Sequence, residues 1–128
     1  MEIQEFFKTF KKIAVVGLSP KEERASYKVA KYLLDHGFEV VGVRPGGGEI
    51  LGVPVYESIA DLPEDIEVID VFRASDHVPP IAEATIAKGA KVLWLQEGVT
   101  HKESEEKAKQ AGLLVFSDVC IKKEHEKL

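Results

Sequence analysis

At 128 residues, with 45% hydrophobic and 30% charged side chains, the chain has the size and composition of one compact soluble domain able to bury a core. A net charge of −5 offers no broad basic surface for a nucleic-acid backbone, and no apolar run approaches the roughly 20 residues of a membrane helix, so neither nucleic acid nor membrane is an expected partner. The single cysteine, Cys120, excludes an internal disulfide framework and any multi-cysteine metal site.

The opening MEIQEFFKTFKK is acidic first and basic last, the reverse of a secretory signal, and the expectation is a cytoplasmic protein. Asparagine is absent while Glu and Lys abound, which gives a thermophilic expectation. Ile3, Phe6, Phe7 and Phe10 recur at helical spacing and predict a leading helix within residues 1–11, packed on the domain.

KIAVVG then reads as a buried strand, and Ser26 to His36 as a helix with the apolar stripe Val29, Ala30, Leu33 and Leu34, stopped by Gly37. FEVVGV is a second strand, running into the glycine-rich RPGGGEILG. VPVYESIADLP predicts a short extended piece and one helical turn. VIDVFR is the third main strand, followed by a helix from about Asp76 to Lys88 with Pro79 and Pro80 in its first turn. KVLWLQ is the fourth strand. HKESEEKAKQAG is a helix supported by Glu103–Lys107 and Glu105–Lys109 pairs, LLVFSD the fifth strand, and IKKEHEKL a polar last helix.

Short apolar runs alternating with helices define βαβ units. The expected fold is a Rossmann-like, doubly wound α/β domain over residues 1–128, with a mainly parallel five-stranded sheet and helices on both faces. Ligands of such sheets sit at the carboxyl ends of the strands, where the strand order reverses. Gly17, Leu18 and Ser19 turn out of the first strand, Ser26 is placed to cap the next helix, and that helix's free N–H groups with Arg24 suit phosphate. A plain tight turn and a solvated Arg24 would give the same pattern.

The second strand ends at Arg44 rather than at the acidic residue that binds both ribose hydroxyls of NAD. The arginine suits a phosphorylated ribose, which leaves NADP and coenzyme A and disfavours NAD. Pro45 follows, and Gly46, Gly47 and Gly48 either approach a phosphate or form a mobile loop. Phe72 offers a stacking face for adenine or is plain core, and Arg73 reaches a phosphate or an acid. Gln96 faces the crevice or satisfies a loop carbonyl, whereas Trp94 belongs to the core.

No catalytic set stands out. His36, His77, His101 and His125 lack metal-ligand spacing and read as solvated or capping residues. No serine sits in a nucleophile elbow, and Asp65, Glu67 and Asp70 read as solvated carboxylates. Cys120 follows the fifth strand near Lys122, Lys123 and His125. It is either a buried inert thiol or a redox thiol able to form a mixed disulfide with a thiol cofactor.

VVGLS with RASYKVA behind it, VRPGGGEILGVPVY, IDVFRASDHVP, WLQEGV and DVCIKKEH occur in that order from about Lys11 to His125. Together they make the chain similar to the small stand-alone CoA-binding proteins, whose Rossmann-like domain is also the N-terminal domain of the succinyl-CoA synthetase α chain. The resemblance implies CoA across the strand ends. Gly17, Ser19, Arg24 and Ser26 would hold its phosphates and Arg44 and Pro45 border the nucleotide, while Phe72 and Arg73 flank the adenine side and Gln96 lines the crevice. Many small relatives carry Asn in place of Arg44, and the synthetase has a lysine after its proline where this chain has glycines. The synthetase's phosphorylated histidine lies in a further domain, so its ligase chemistry is not implied. The resulting expectation is a non-catalytic CoA or acyl-CoA carrier or sensor, redox-sensitive through Cys120. The alternatives are a minimal NADP-dependent oxidoreductase and a ligand-free interaction subunit of an acyl-CoA enzyme.

Overall fold

In a computed structural model, which describes residues 1–128, one twisted sheet is flanked by helices on both faces. The strands are β1 (Lys12–Val16), β2 (Glu39–Val43), β3 (Gly48–Ile50), β4 (Val53–Tyr56), β5 (Val68–Val71), β6 (Val92–Leu95) and β7 (Leu114–Phe116). The helices are α1 (Ile3–Thr9), α2 (Ala25–Asp35), α3 (Val78–Lys88), α4 (Lys102–Gln110) and α5 (Ile121–Glu126). None is long and apolar enough to cross a membrane.

The sheet order is β3-β4-β2-β1-β5-β6-β7, parallel throughout except for β3, which runs antiparallel to β4. The five main parallel strands lie where the apolar runs put them, but the sheet has seven strands, not five. The two additions come from the segment read as a glycine-rich loop and an extended piece. Gly48–Ile50 and Val53–Tyr56 form a hairpin closed by Leu51 and Gly52, both with positive φ (57° and 77°), the backbone a two-residue hairpin turn needs. Three- and four-residue strands interrupted by Pro54 and glycine carry too little alternation to be read from the sequence.

Strand alternation splits the core into two layers. Ile13, Val15, Val68, Val92 and Trp94 face α1, α2 and α5, where Phe6, Phe7, Val29, Leu33 and Ile121 pack on them. Ala14, Val16, Ile69, Val71, Leu93 and Leu95 face α3 and α4, meeting Val78, Ala82 and Ala108. Trp94 is fully buried and its indole N–H donates to the Val119 carbonyl at 2.9 Å, so the ring fills the core without orphaning its polar atom.

Helix ends follow from local chemistry. Pro79 and Pro80 sit at the start of α3, after a single 3₁₀ turn (Ser75–His77), and Gly89 closes it with φ 80°. At α4 the His101 imidazole accepts the Ser104 N–H while the Glu105 carboxylate accepts the His101 N–H, a reciprocal cap. That use of Glu105 displaces the expected pair with Lys109, which meets Glu106 instead, whereas Glu103–Lys107 forms.

Asp70 departs from its reading as a solvated carboxylate. It lies in the middle of β5 between Val15 and Trp94, is wholly buried, and neither carboxylate oxygen has a hydrogen-bond partner. Burial drives its pKa well above the ordinary carboxylate range. Asp65 is exposed, as expected, and pairs with Lys12, while Glu67 accepts the N–H groups of Lys11 and Lys12.

Candidate functional site

The chain leaves β1 on its way to β2 on one side and enters the sheet again through β5 on the other. The loops after β1 and β5 therefore part at the carboxyl ends of neighbouring strands, the topological switch point where ligands of open α/β sheets bind. Three adjoining cavities open there, linked by shared walls.

The first, about 470 Å³, is lined by Gly17, Ser19, Pro20, Lys21, Arg24, Ala25, Ser26, Arg44 and Phe72. Three cations and no carboxylate border it, so its field is positive and suited to an anion. Gly17 has φ 89°, and a Cβ there would collide with the Phe72 carbonyl oxygen, so the two loops cross in contact at a point only glycine permits. Ser26 does not cap α2 as expected. Arg24 occupies the N-cap position without a side-chain cap bond, and Ser26, inside the first turn and 5% exposed, accepts the Ser19 N–H at 3.0 Å. Ser19 in turn accepts the Lys21 N–H at 3.1 Å. The serine hydroxyls thus shape the loop, and the N–H groups of the first turn of α2, uncapped, are left to face the cavity.

The second cavity, about 460 Å³, shares Phe72 and Ala25 with the first and continues past Val29, Arg73, Ala74, Gln96, Glu97, Val99 and Cys120. Its wall is mostly apolar. Gln96 is 4% exposed, and its Oε1 accepts the Ile121 N–H at 3.4 Å. A backbone N–H needs an acceptor, so the amide oxygen is fixed there, which turns the Nε2 donors toward the cavity that Gln96 lines. Of the two roles the sequence left open, Gln96 lines the crevice, and its backbone partner is the Ile121 N–H at the start of α5 rather than a loop carbonyl.

Cys120, half-buried, ends this cavity. The cations expected beside it have other partners. Lys123 pairs with Glu97 at 2.9 Å, Lys122 lies 5.6 Å over the Tyr32 ring, and His125 meets the Tyr32 hydroxyl. Glu97 raises the Lys123 pKa, with a smaller contribution from the nearby Cys120 sulfur.

The third cavity, about 280 Å³, opens on the other face, lined by Val16, Val43, Arg44, Pro45, Ser58, Ile59, Arg73 and Pro80 among others. Arg44 borders the first and third cavities, Arg73 the second and third. Gly46, Gly47 and Gly48 line none of the three. Gly47 N–H bonds back to the Arg44 carbonyl and Gly48 begins β3, so these glycines shape a turn rather than the cavity wall. Leu18 turns its side chain into the core at 1% exposure, leaving only its backbone at the loop.

Lys21, Val29 and Val99 line these cavities without having been expected as site residues. Lys21 sits beside Glu22 and Glu23, which masks it as part of a mixed-charge surface run, and the valines carry the same signal as any core residue.

A mostly parallel sheet with helices on both faces and a cationic cavity at its switch point defines a Rossmann-like α/β domain. The chain belongs to the CoA-binding domain family, which it matches over residues 11–126. It is 38% identical over 124 residues to YneT of Bacillus subtilis, covering 97% of this chain and 92% of that protein. It is also 26% identical over 121 residues to an ADP-forming acetate–CoA ligase of Archaeoglobus fulgidus, of which it spans 18%. Among solved structures, a protein of Pyrococcus horikoshii superposes with a TM-score of 0.94 at 44% identity, covering 98% of this chain and 89% of that one. A Thermus thermophilus protein gives 0.93 at 32% identity, covering 99% and 98%.

Proposed function

We propose that the protein binds coenzyme A along the three joined cavities, as a carrier or sensor rather than a catalyst. The observation that carries this reading is that they share walls. A cationic chamber over the start of α2 shares Ala25 and Phe72 with a mostly apolar chamber lined by Cys120, and Arg44 with a slot also bordered by Pro45 and Arg73. CoA has the matching order of parts: an adenine, a phosphorylated ribose, a pyrophosphate and a long, largely apolar arm with two amides and a terminal thiol.

In this assignment the pyrophosphate takes the free N–H groups of α2, with Lys21 and Arg24 neutralising it. Arg44, reaching both the first and third cavities, holds the ribose phosphate, and the adenine lies toward Pro45 and Arg73 with the Phe72 ring at the junction. The arm runs past Val29 and Val99, where the Gln96 amide donates to one of its carbonyls. Leu18 and Ser26 serve by shaping the loop.

The arm's end falls near Cys120, which supplies the redox part of the reading. The Cys120 thiolate attacks one sulfur of a CoA disulfide. A Cys120–CoA disulfide forms as the original S–S bond breaks, and the second CoA leaves as a thiolate that takes up a proton. The protein would then report the oxidation state of CoA.

Calorimetry with CoA and NADP in parallel tests the ligand. Binding of CoA alone is the expected result. Preference for NADP would install the reductase reading, and no binding of either would favour an interaction subunit. Intact mass after incubation with CoA disulfide tests the thiol, with a gain of one CoA on the wild type and none on Cys120→Ser. An unmodified wild type would remove the redox role and leave the binding role to calorimetry.

A further inference from the structure

At six residues, α5 is too short to hold itself together, so its place rests on what its two ends touch. At the start, Ile121 is buried and donates its N–H to Gln96, and Cys120 lines the apolar cavity. At the far end His125 Nδ1 lies 2.7 Å from the Tyr32 hydroxyl of α2, and the imidazole stands edge-on to Phe7 (5.0 Å), Tyr32 (5.5 Å) and Phe38 (5.6 Å).

A second imidazole shares this phenol. His36, exposed at the end of α2, stacks on the Tyr32 ring at 3.9 Å and lies 5.3 Å from His125. Its Nδ1 is 2.7 Å from the Tyr32 carbonyl oxygen. A carbonyl only accepts, so the His36 Nδ1–H donates to it. The other charged groups facing the cluster are Lys11, whose Nζ is 4.7 Å over Phe38, and Lys122 over Tyr32. Glu126 lies near Tyr32, and Glu124 is held by Lys127 at 2.7 Å. Burial first, then His36 and Lys11, holds the His125 pKa below its usual value.

We propose that α5 is an acid-released clasp on the crevice: neutral His125, docked against Tyr32, Phe7 and Phe38, keeps the helix and thus Cys120 and the Gln96 bond in place, and a proton on His125 beside His36 and Lys11 lets the helix go. That the clasp gates CoA rests on the reading of the crevice given above. The sign follows from linkage. A histidine that binds its proton less well when docked than when free stabilises docking fully above the free value of about 6.5, and that stabilisation fades as pH falls through the docked value. Acid therefore opens the thiol end of the crevice, while the cationic chamber over α2, which α5 does not line, keeps its form.

Hydrogen exchange read by mass spectrometry on residues 119–128 of the ligand-free full chain, at about pH 7.5 and about pH 5.5 and corrected for the intrinsic rate, decides the matter. The wild type is expected to exchange roughly five- to tenfold faster at the lower pH, the equivalent of one modest hydrogen bond lost. His125→Phe keeps the ring packing without a titrating group and should exchange alike at both pH values. His125→Gln, which retains a neutral partner for Tyr32, should do the same and serves if the Phe variant folds poorly. Equal wild-type rates at both pH values, or an undiminished pH response in both variants, would overturn the clasp. A second arm compares CoA affinity at the two pH values in wild type and variant, so that titration of the CoA phosphate cancels. The wild type should weaken several-fold more on acidification. Absence of CoA binding at the higher pH would refute the crevice assignment, whereas the exchange result judges the clasp by itself.

Discussion

The Phe72 carbonyl oxygen stands where a Cβ on Gly17 would have to be, so the loops after β1 and β5 meet backbone to backbone at the floor of the cationic cavity. Gly17→Ala meets two costs. The left-handed backbone at φ 89° disfavours a residue with a Cβ by about 1–2 kcal/mol, and forcing the loops apart adds about 1–3 kcal/mol. The variant should melt several degrees lower and lose CoA binding, because the loop that presents the start of α2 is displaced. Thermal unfolding and calorimetry on the same preparation check this. Unchanged melting would show that the loops separate freely.

Ser26 supports the same loop from beneath by accepting the Ser19 N–H. Ser26→Ala leaves that N–H without its partner, at a cost of about 1 kcal/mol. The expectation is a small loss of stability with a several-fold weaker affinity for CoA. Ser26→Thr, which restores the acceptor, should recover part of both. Identical affinity for Ala and wild type would mean that the loop is held by other contacts.

Arg44 separates the ribose phosphate from the rest of the ligand. Arg44→Ala should weaken CoA by about 1.5–3 kcal/mol, the range of a charge-assisted hydrogen bond, and 3′-dephospho-CoA by far less. Calorimetry on the two ligands measures the difference. Equal losses would move the arginine to the pyrophosphate, which its place on the wall of the first cavity also permits.

Much of this architecture was legible because parallel strands buried on both faces must be apolar runs, and IAVV, VIDV and VLWL are such runs bounded by turn residues. The hairpin β3–β4 was not, since its strands are too short for a period and depend on pairing with β2. Of the residues the strand-end loops put forward, Gly17, Ser19, Arg24, Ser26, Arg44 and Phe72 line the cationic cavity. Sequence could not divide side chain from backbone there: Leu18 faces the core, and Ser26 bonds to a loop N–H rather than capping the helix. Lys122, Lys123 and His125 are near Cys120 along the chain, but their partners lie in other elements, on Tyr32 and Glu97. Asp70 was misread although its signal was present. A lone acid inside VIDV, in a strand covered on both faces, has no solvated side to turn to.

That burial makes Asp70 a test of how the core treats a charge. Its pKa, raised by desolvation, means the folded state holds the proton more tightly than the unfolded chain. The stabilisation this gives is complete below the unfolded value of about 3.9 and is lost as pH rises through the folded value. Asp70→Leu replaces two unpartnered oxygens with two methyl groups on the same branched skeleton. It should stabilise the protein at neutral pH by about 1–3 kcal/mol, the cost of leaving a buried polar group unsatisfied. Asp70→Asn removes the titration but keeps the polarity, so it should flatten the pH dependence while gaining less. Denaturant unfolding of the three proteins at about pH 5 and about pH 8 resolves both effects, with only the wild type losing stability toward the higher pH. A destabilised Leu variant would show that the carboxyl has a partner in solution, such as a buried water, and that the acid is kept for the bond it makes there.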